Sequence, residues 1–283
     1  MSSFKHINRN KNNDIRFHGP YNQHRIQQHQ LSNIRQPNSL KLQRPMEEMI
    51  DFATTACNRP EIIEKTYYSL QQAIRGINLK ECRLFINIDP MPNADNIEDN
   101  VRVAKKYFGE VIWNTPKKDD GSIADKGSFP NAFKWCIYQV SKPYCFYIQD
   151  DWLFAQTFHI GYLIKMVNTN PRIASVNLYK TDGGSSLPRR IYLSPSLFKT
   201  GHFKKIALML VPNYSPEKQL RPFSRKNNPY GGRILAKLGY YGVCYRKNYM
   251  PMVRDLGRPW MKDNGLEKSR GAYNNFQSWK TVR

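Results

Sequence analysis

Acidic residues are scarce in this sequence. Its 283 residues include 22 Asp and Glu against 44 Lys and Arg, which gives a formal net charge of +22. Residues 180–283 carry 21 basic and 5 acidic residues and residues 1–45 carry 8 and 1, whereas residues 46–179 carry 15 and 16. The net charge of +16 over the last segment exceeds the magnitude of roughly 2 to 8 that solubility asks of a small domain. We therefore predict that both ends face a polyanion, the alternative being a solubilising surface.

Long apolar runs and paired cysteines are also missing. The longest purely apolar run is Ile206–Val211, far short of the roughly 20 residues that cross a bilayer. No basic segment followed by an apolar one opens the sequence, so a secretory signal is not expected. The five cysteines are odd in number and form no Cys-x-x-Cys pair. These absences predict no membrane span, no disulfides and a reducing, cytoplasmic location.

Hydrophobic periodicity divides the sequence into three regions. Residues 1–45 keep neither a strand nor a helix period and are predicted to be a disordered basic arm. Residues 46–180 alternate β-rich runs with amphipathic helices, which predicts an α/β fold with a mainly parallel sheet and helices on both faces. Residues 181–283 are basic and weakly periodic, so we predict a loop-rich region that completes the same domain. The predicted strands are Ile50–Thr55, Arg83–Asp89, Glu110–Asn114, Tyr144–Ile148 and Ile173–Leu178.

Two adjacent carboxylates, Asp150 and Asp151, end the apolar run in YCFYIQDDW. They are predicted to lie at the carboxyl end of a central strand, the edge where open α/β sheets bind ligands. One or two carboxylates suffice to hold Mg²⁺ or Mn²⁺ that keeps several waters and bridges the phosphates of a nucleotide. The alternative is an acidic turn paired with nearby Lys or Arg.

At this point the sequence resembles the GT-A glycosyltransferases. FATTACNRPEIIEKTYYSL is similar to the first strand, loop and helix of family 2-like enzymes, FINID to their second strand, and FYIQDDW to their D-x-D motif, in the E-D-D form of the N-acetylglucosaminyltransferase I group. The resemblance covers roughly residues 48 to 180. It implies a GT-A, Rossmann-like fold and metal-dependent transfer of a sugar from a nucleotide diphosphate sugar, with a UDP-sugar and Mn²⁺ or Mg²⁺ as the expected donor and ion.

The resemblance also implies roles for individual residues. Asp151 would bind the metal directly, and Asp150, the second predicted residue of the metal site, would reach the donor ribose or a metal-bound water; Gln149 departs from the acid expected at the first position. Asp89 would accept from the uracil N–H, unless it is only a turn residue before Pro90. The residues expected to line the donor site are Thr55, Arg59, Asp89, Lys126, Gly127 and Asp150. For Arg59 the alternative is a solvated side chain in the first turn of a helix. Lys126 and Gly127 are included because they precede a predicted helix, whose first backbone N–H groups attract phosphate.

The catalytic base and the third metal ligand are harder to place. Glu217 in NYSPEKQL resembles the base of family 2-like enzymes, with Asp182 as the second choice; the alternative for Glu217 is an ordinary acid in a first helical turn. The segment MVRDLGRPWMKDNG resembles a closing segment of bacterial and phage transferases, in which a His is expected near Asp255. His202 is the candidate third metal ligand, with a structural histidine as the alternative.

Aromatic residues are interleaved with Lys and Arg in residues 227–260, a mixture suited to phosphate contacts and base stacking. We predict a polyanionic acceptor, specifically a hydroxymethylated base of DNA in a phage-infected host, because a hydroxymethyl group in the major groove can be reached without flipping the base. An anionic cell-surface glycan or a protein is the alternative acceptor. An alternative of another class is a non-catalytic nucleic-acid-binding protein with a degenerate GT-A fold.

Overall fold

The computed structural model describes residues 45–91, 96–124, 127–180, 190–211, 214–221, 230–247, 250–268 and 279–281. The predicted basic arm therefore lies outside the described residues apart from Pro45. Two predicted site residues, Lys126 and Asp182, also lie outside them.

The described residues form thirteen strands and nine α-helices. The strands are β1 (Ile50–Cys57), β2 (Ile74–Arg75), β3 (Arg83–Asp89), β4 (Glu110–Asn114), β5 (Tyr144–Gln149), β6 (Trp152–Phe154), β7 (Phe158–His159), β8 (Ile173–Leu178), β9 (Ser196–Lys199), β10 (Tyr241–Tyr245), β11 (Val253–Asp255), β12 (Leu266–Lys268) and β13 (Trp279–Thr281). The helices are α1 (Met46–Met49), α2 (Pro60–Ala73), α3 (Ile97–Tyr107), α4 (Phe129–Gln139), α5 (Ile160–Asn168), α6 (Thr200–Met209), α7 (Pro216–Gln219), α8 (Arg233–Leu238) and α9 (Gly257–Asp263).

Seven strands form one sheet in the order β10-β8-β9-β5-β1-β3-β4. All neighbouring pairs are parallel except those made by β9, which runs antiparallel to both β5 and β8. Helices α2, α3 and α5 pack on one face of the sheet, and α4, α6 and α8 on the other. The predicted α/β fold with a mainly parallel sheet and helices on both faces is confirmed.

The central strands are buried on both faces, which explains why they appear in the sequence as nearly continuous apolar runs. All eight residues of β1 are buried, and its Phe52 and Ala53 point to opposite faces of the sheet. The parallel register places Thr55 opposite Gln149 and Cys57 opposite Asp89. The carboxyl ends of β1, β3 and β5 therefore meet at one edge of the sheet.

Residues 190–268 complete this sheet and cover part of its edge. Strands β9 and β10 belong to the seven-stranded sheet, and β11 pairs antiparallel with β6, with Asp255 opposite Trp152. The prediction of a loop-rich region therefore missed two strands of the main sheet, because strands of four and five residues are too short to show a clear hydrophobic period. Within the described parts of the chain, no helix combines the length and the hydrophobicity that a membrane span needs.

Candidate functional site

Asp150 lies at the carboxyl end of β5 and is held by its neighbours. Only 4% of it is exposed. Its Oδ2 accepts hydrogen bonds from the Cys57 N–H at 2.9 Å and from Arg59 Nη2 at 2.8 Å. Its carbonyl oxygen accepts from Thr66 Oγ1 at 2.5 Å. The strand register brings Asp150 to the end of β1, so the first strand and the acid pair form one structural unit.

Arg59 precedes α2, whose first residue is Pro60, a residue that favours the start of a helix. It is only 3% exposed, and its Nη2 also lies 3.5 Å from Asp151 Oδ2. The guanidinium carbon is 5.2 Å from the centre of the Trp260 ring, and no described residue offers a hydrogen-bond partner to the buried Nε. Burial alone would lower the pKa of Arg59, but the nearby charges, chiefly that of Asp150, raise it overall, so the guanidinium stays charged. A solvated Arg59 is excluded.

Asp151 is the more accessible acid of the pair, with 29% of its side chain exposed. The segment that joins β11 to α9 lies against it. The Leu256 N–H donates to the Asp151 carbonyl oxygen at 2.8 Å, and a Cβ at Gly257 would stand 2.2 Å from Asp151 Oδ2. Asp255 does not face the pair as a ligand, because its Oδ1 accepts from the N–H groups of Gly257 and Arg258 at the start of α9.

Asp89 is a buried carboxyl group at the end of β3. Its Oδ1 accepts from Asn87 Nδ2 at 2.9 Å, and Asn87 Oδ1 in turn accepts from Asn114 Nδ2 at 2.7 Å. Burial raises the pKa of Asp89 from 3.8 to about 7; the charge of Asp150 adds to the increase, and hydrogen bonds from Asn87 and the backbone of Ser128 oppose it. Gly127 packs so closely that a Cβ there would lie 2.1 Å from Asp89 Cγ. The structure thus brings together two residues that the sequence only suggested separately.

Thr55 contacts Tyr147 on the face of the sheet that packs against α4. Its Oγ1 lies 2.6 Å from the hydroxyl oxygen of Tyr147. Burial raises the pKa of Tyr147, the hydrogen bond with Thr55 opposes the increase, and the charges of Cys136 and Glu217 add to it. Glu217 is the second residue of α7, and among the described residues no hydrogen bond or ion pair joins it to Asp150 or Asp151.

His202 is not placed to bind a metal ion with Asp151, so that prediction is wrong. Lys199 at the end of β9 pairs with Tyr144 at the start of β5, so α6 and His202 begin at the opposite edge of the sheet. The six residues of β5 separate the two edges by roughly 20 Å. His202 Nε2 lies 2.8 Å from the carbonyl oxygen of Pro171, its ring stacks on Tyr240, and burial lowers its pKa. These contacts are those of a structural histidine.

The acid pair fits a divalent ion that takes most of its ligands from water and from phosphate groups. Among the described residues, no three His, Cys, Asp or Glu side chains are grouped to hold a metal. Of the two predicted metal ligands, Asp150 is the less accessible, because its carboxylate is buried and its Oδ2 contacts Arg59 and the Cys57 N–H. One partly exposed carboxylate, that of Asp151, is nevertheless sufficient for an ion that keeps waters and binds phosphates.

Sequence reasoning missed the residues that support the acid pair. Trp260 covers Arg59, Thr66 binds the Asp150 carbonyl oxygen, and Gly257 makes room for Asp151. A signal existed for Tyr147, because a tyrosine inside a fully buried strand needs a hydrogen-bond partner for its hydroxyl. The other three depend on contacts between distant parts of the chain.

No family model matches this sequence, and no curated protein is similar to it in sequence. In structure the chain is similar to a mannosyltransferase from Pyrobaculum calidifontis, solved with GDP-mannose and Mn²⁺ (TM-score 0.49, 9% identity, 73% of this chain covered). It is also similar to TarS of S. aureus (TM-score 0.46, 10% identity, 75% covered) and to a CMP:2-keto-3-deoxy-manno-octonic acid synthetase complexed with CTP (TM-score 0.42, 11% identity, 70% covered). The match spans 56%, 37% and 89% of these three chains, respectively.

Proposed function

We propose that this protein is a glycosyltransferase that moves a sugar from a nucleotide diphosphate sugar, with UDP-sugar as the expected donor, to a hydroxyl of a polyanionic acceptor. The observation that carries the proposal is the convergence of Arg59, Asp151 and Asp89 at the carboxyl edge of the parallel sheet. This edge is where open α/β sheets bind nucleotides. The resemblance of FYIQDDW to the GT-A acid motif supports the same assignment.

The donor phosphates are assigned to Arg59. It is a charged guanidinium beside Asp151, and its Nε has no hydrogen-bond partner within the described ranges of the chain. Arg suits phosphate because its planar group presents several donors in a fixed arrangement. The ion pair with Asp150 fixes the orientation of Arg59 before the donor arrives, so less side-chain freedom is lost on binding.

The nucleobase is assigned to Asp89. When ionised, its carboxylate can accept from the N–H of uracil, and its burial beside Gly127 shields that hydrogen bond from water. Thr55 and Lys126 remain predicted donor contacts, Lys126 on the strength of its sequence position alone.

Asp151 would hold Mn²⁺ or Mg²⁺, together with waters and the donor phosphates. When bound, such an ion neutralises the departing diphosphate as a Lewis acid. Glu217 is the proposed base that takes the proton of the acceptor hydroxyl, with Asp182 as the second choice. Support for Glu217 comes from its resemblance in sequence to the base of family 2-like enzymes and from its place in the first turn of α7.

The acceptor is proposed from charge. Residues 180–283 carry a net charge of +16 and contribute β11 and α9, which lie against Asp151. A polymer of phosphates is the partner that such a surface attracts. A hydroxymethylated base of phage-type DNA is the specific acceptor we propose; an anionic glycan or a protein is the alternative.

A second candidate, a nucleic-acid-binding protein without catalysis, is favoured by one observation. The Arg59 guanidinium already neutralises charge of the acid pair. Gln149 supplies no carboxylate at the first position of the motif, and its Oε1 accepts a hydrogen bond from Trp152 Nε1 at 3.1 Å. This candidate keeps the basic surface and lacks the metal-dependent step.

Hydrolysis of a UDP-sugar without acceptor separates the two candidates. We expect wild-type protein to release UDP in the presence of Mn²⁺. The rate should be at least tenfold lower in Asp151→Asn, because one contact to the charge of a transition state contributes about 10²-fold or more to the rate. Asp99→Asn is the matched control, since Asp99 pairs with Arg102 on the surface of α3, and it should retain the wild-type rate. Equal rates in wild type and Asp151→Asn would favour the non-catalytic candidate.

A further inference from the structure

Two cations, Lys180 and Arg190, lie on the faces of aromatic rings. Lys180 Nζ lies 5.2 Å from the ring centre of Trp152 and 5.7 Å from that of Tyr192, and Arg190 Cζ lies 4.3 Å from the Tyr192 ring centre. We call these four residues the cation-ring cluster. Trp152 directly follows Asp151, and Lys180 follows Tyr179 just after the carboxyl end of β8. The cluster therefore lies at the same sheet edge as the candidate donor site.

The backbone that carries the cluster is fixed by buried contacts. Asn177, which is 2% exposed, donates from Nδ2 to the Arg190 carbonyl oxygen at 3.1 Å and accepts from the Tyr192 N–H at 3.3 Å. A Cβ at Gly242 would lie 2.5 Å from the same Arg190 oxygen. Lys180 forms a parallel bridge with Val253. The arrangement is thus built into the fold and does not depend on chance contacts of surface side chains.

The described part of the chain offers the two cations of the cluster no acidic partner. Among the described residues, no carboxylate lies within ion-pair distance of Lys180 or Arg190, and Arg190 Nε is buried without a hydrogen-bond partner. A buried or half-buried cation without a counter-charge is costly unless a ligand supplies one. The rings compensate only in part, because a cation on an aromatic face gains about 0.5 to 2 kcal/mol. A ligand with negative charge completes this site.

We infer that Lys180 and Arg190 form a subsite that binds a backbone phosphate of a duplex DNA acceptor and so directs the acceptor hydroxyl toward Asp151. This inference rests on the proposed function and names the part of the acceptor that the enzyme holds. Single-stranded binders stack unpaired bases on aromatic faces. Here the cations lie over those faces and Trp152 is only 5% exposed. The ring faces therefore hold the cations in place and are not open for stacking of an unpaired base. A duplex keeps its own bases stacked and offers only phosphates to such a site.

Salt-dependent binding tests the subsite. The variants are Lys180→Gln and Arg190→Gln, and the matched controls are Lys205→Gln on the exposed face of α6 and Arg102→Gln on α3. The probe is a hydroxymethylcytosine-containing duplex of about 20 base pairs, with single-stranded DNA and a polyol-phosphate polymer alongside, measured across a salt series. Thermal unfolding of each variant shows that it is folded, and Lys180→Arg provides a conservative rescue.

We expect each cluster variant to bind the duplex roughly five- to tenfold more weakly at about 0.1 M salt and to lower the slope of log affinity against log salt by about 1, because one phosphate contact is lost. The controls and Lys180→Arg should bind like the wild type. Acceptor-free hydrolysis of the UDP-sugar should stay within twofold of the wild-type rate in all variants, because our proposal assigns none of these residues to the donor site.

Two results would overturn the inference. One is an unchanged salt slope for duplex DNA in folded Lys180→Gln and Arg190→Gln. The other is a loss of affinity that is confined to the polyol-phosphate polymer or to single-stranded DNA. If either result is found while hydrolysis of the UDP-sugar is normal, the proposed glycosyltransferase function stands and only the phosphate subsite is contradicted. If wild-type protein hydrolyses no nucleotide sugar, the proposed function is contradicted and the phosphate subsite is not.

Discussion

Arg59 is the residue on which the geometry of the candidate site depends. It is buried between two acids and the Trp260 ring, and its backbone N–H donates to Asn100 Oδ1 at 3.1 Å. Removing one member of a buried ion pair leaves the other charge uncompensated in a medium that solvates it poorly. Arg59 is therefore expected to serve stability as well as binding.

We predict that Arg59→Met lowers the free energy of unfolding by about 3 to 5 kcal/mol, because Asp150 then remains buried without its partner. Urea denaturation checks the change, with Arg102→Met as the control for loss of an exposed pair, which should cost at most about 1 kcal/mol. The double variant Arg59→Met with Asp150→Asn should recover part of the loss. No recovery in the double variant would show that the Arg59 effect does not come from the ion pair.

Asp89 gives a pH-dependent prediction. Its folded pKa of about 7 lies above the reference value of 3.8, so its contribution to stability is complete at low pH and is lost as the pH rises from about 4 through 7. Asp89→Asn cannot ionise and should gain stability relative to the wild type over that range, by up to about 1.4 kcal/mol per pH unit. Urea denaturation at pH 5 and pH 8 measures the difference between the two proteins. A difference that is the same at both pH values would contradict the shifted pKa.

At the scale of elements, the segment from β11 to α9 shapes the surroundings of Asp151. It reaches that position because β11 pairs with β6, the strand that follows the acid pair. Gly257 leaves no space for a side chain against the carboxylate. The segment therefore holds Asp151 through close packing, without adding a ligand of its own.

We predict that Gly257→Ala reduces the Mn²⁺-dependent release of UDP by at least tenfold, because a methyl group 2.2 Å from Asp151 Oδ2 must displace the carboxylate or the segment. Gly201→Ala is the control, since no atom lies within 4 Å of a Cβ at that position of α6. The control should keep full activity and unfold at an equal or slightly higher temperature. A Gly257→Ala variant as active as the control would show that Asp151 is not needed in its present position.

Most strands of the central sheet could be predicted from the sequence, but the contacts between them could not. The strands β1, β3, β4, β5 and β8 could be predicted, because strands buried on both faces leave continuous apolar runs. The position of Asp150 and Asp151 at a strand end followed from that pattern. An ion pair with a nearby Lys or Arg was one of the two predictions for the acid pair, but its partner could not be identified as Arg59, since that contact depends on the register that sets Thr55 opposite Gln149. His202 was misplaced because nothing local in the sequence reveals that β9 runs antiparallel to β5.

At the scale of the whole molecule, the two candidate binding sites lie on parts of the chain that differ in net charge. The neutral part, residues 46–179, supplies Arg59, Asp89 and the acid pair, and the basic part after it supplies Lys180, Arg190 and the segment that covers Asp151. In our account, one part binds the nucleotide sugar and the other holds a polyanion across the same edge of the sheet. Both parts share one seven-stranded sheet, so their relative position is set by the fold.

The central claim is that the Arg59–Asp151 edge binds a nucleotide diphosphate sugar together with a divalent ion. The most direct test is a thermal-shift panel of nucleotide sugars on the wild-type protein with and without Mn²⁺, since a ligand that binds the native state raises its stability by mass action. The account predicts that a UDP-sugar raises the unfolding temperature only when Mn²⁺ is present, and that Asp151→Asn shows no such increase. A panel in which no nucleotide sugar stabilises the protein, or in which Asp151→Asn is stabilised as much as the wild type, would contradict it.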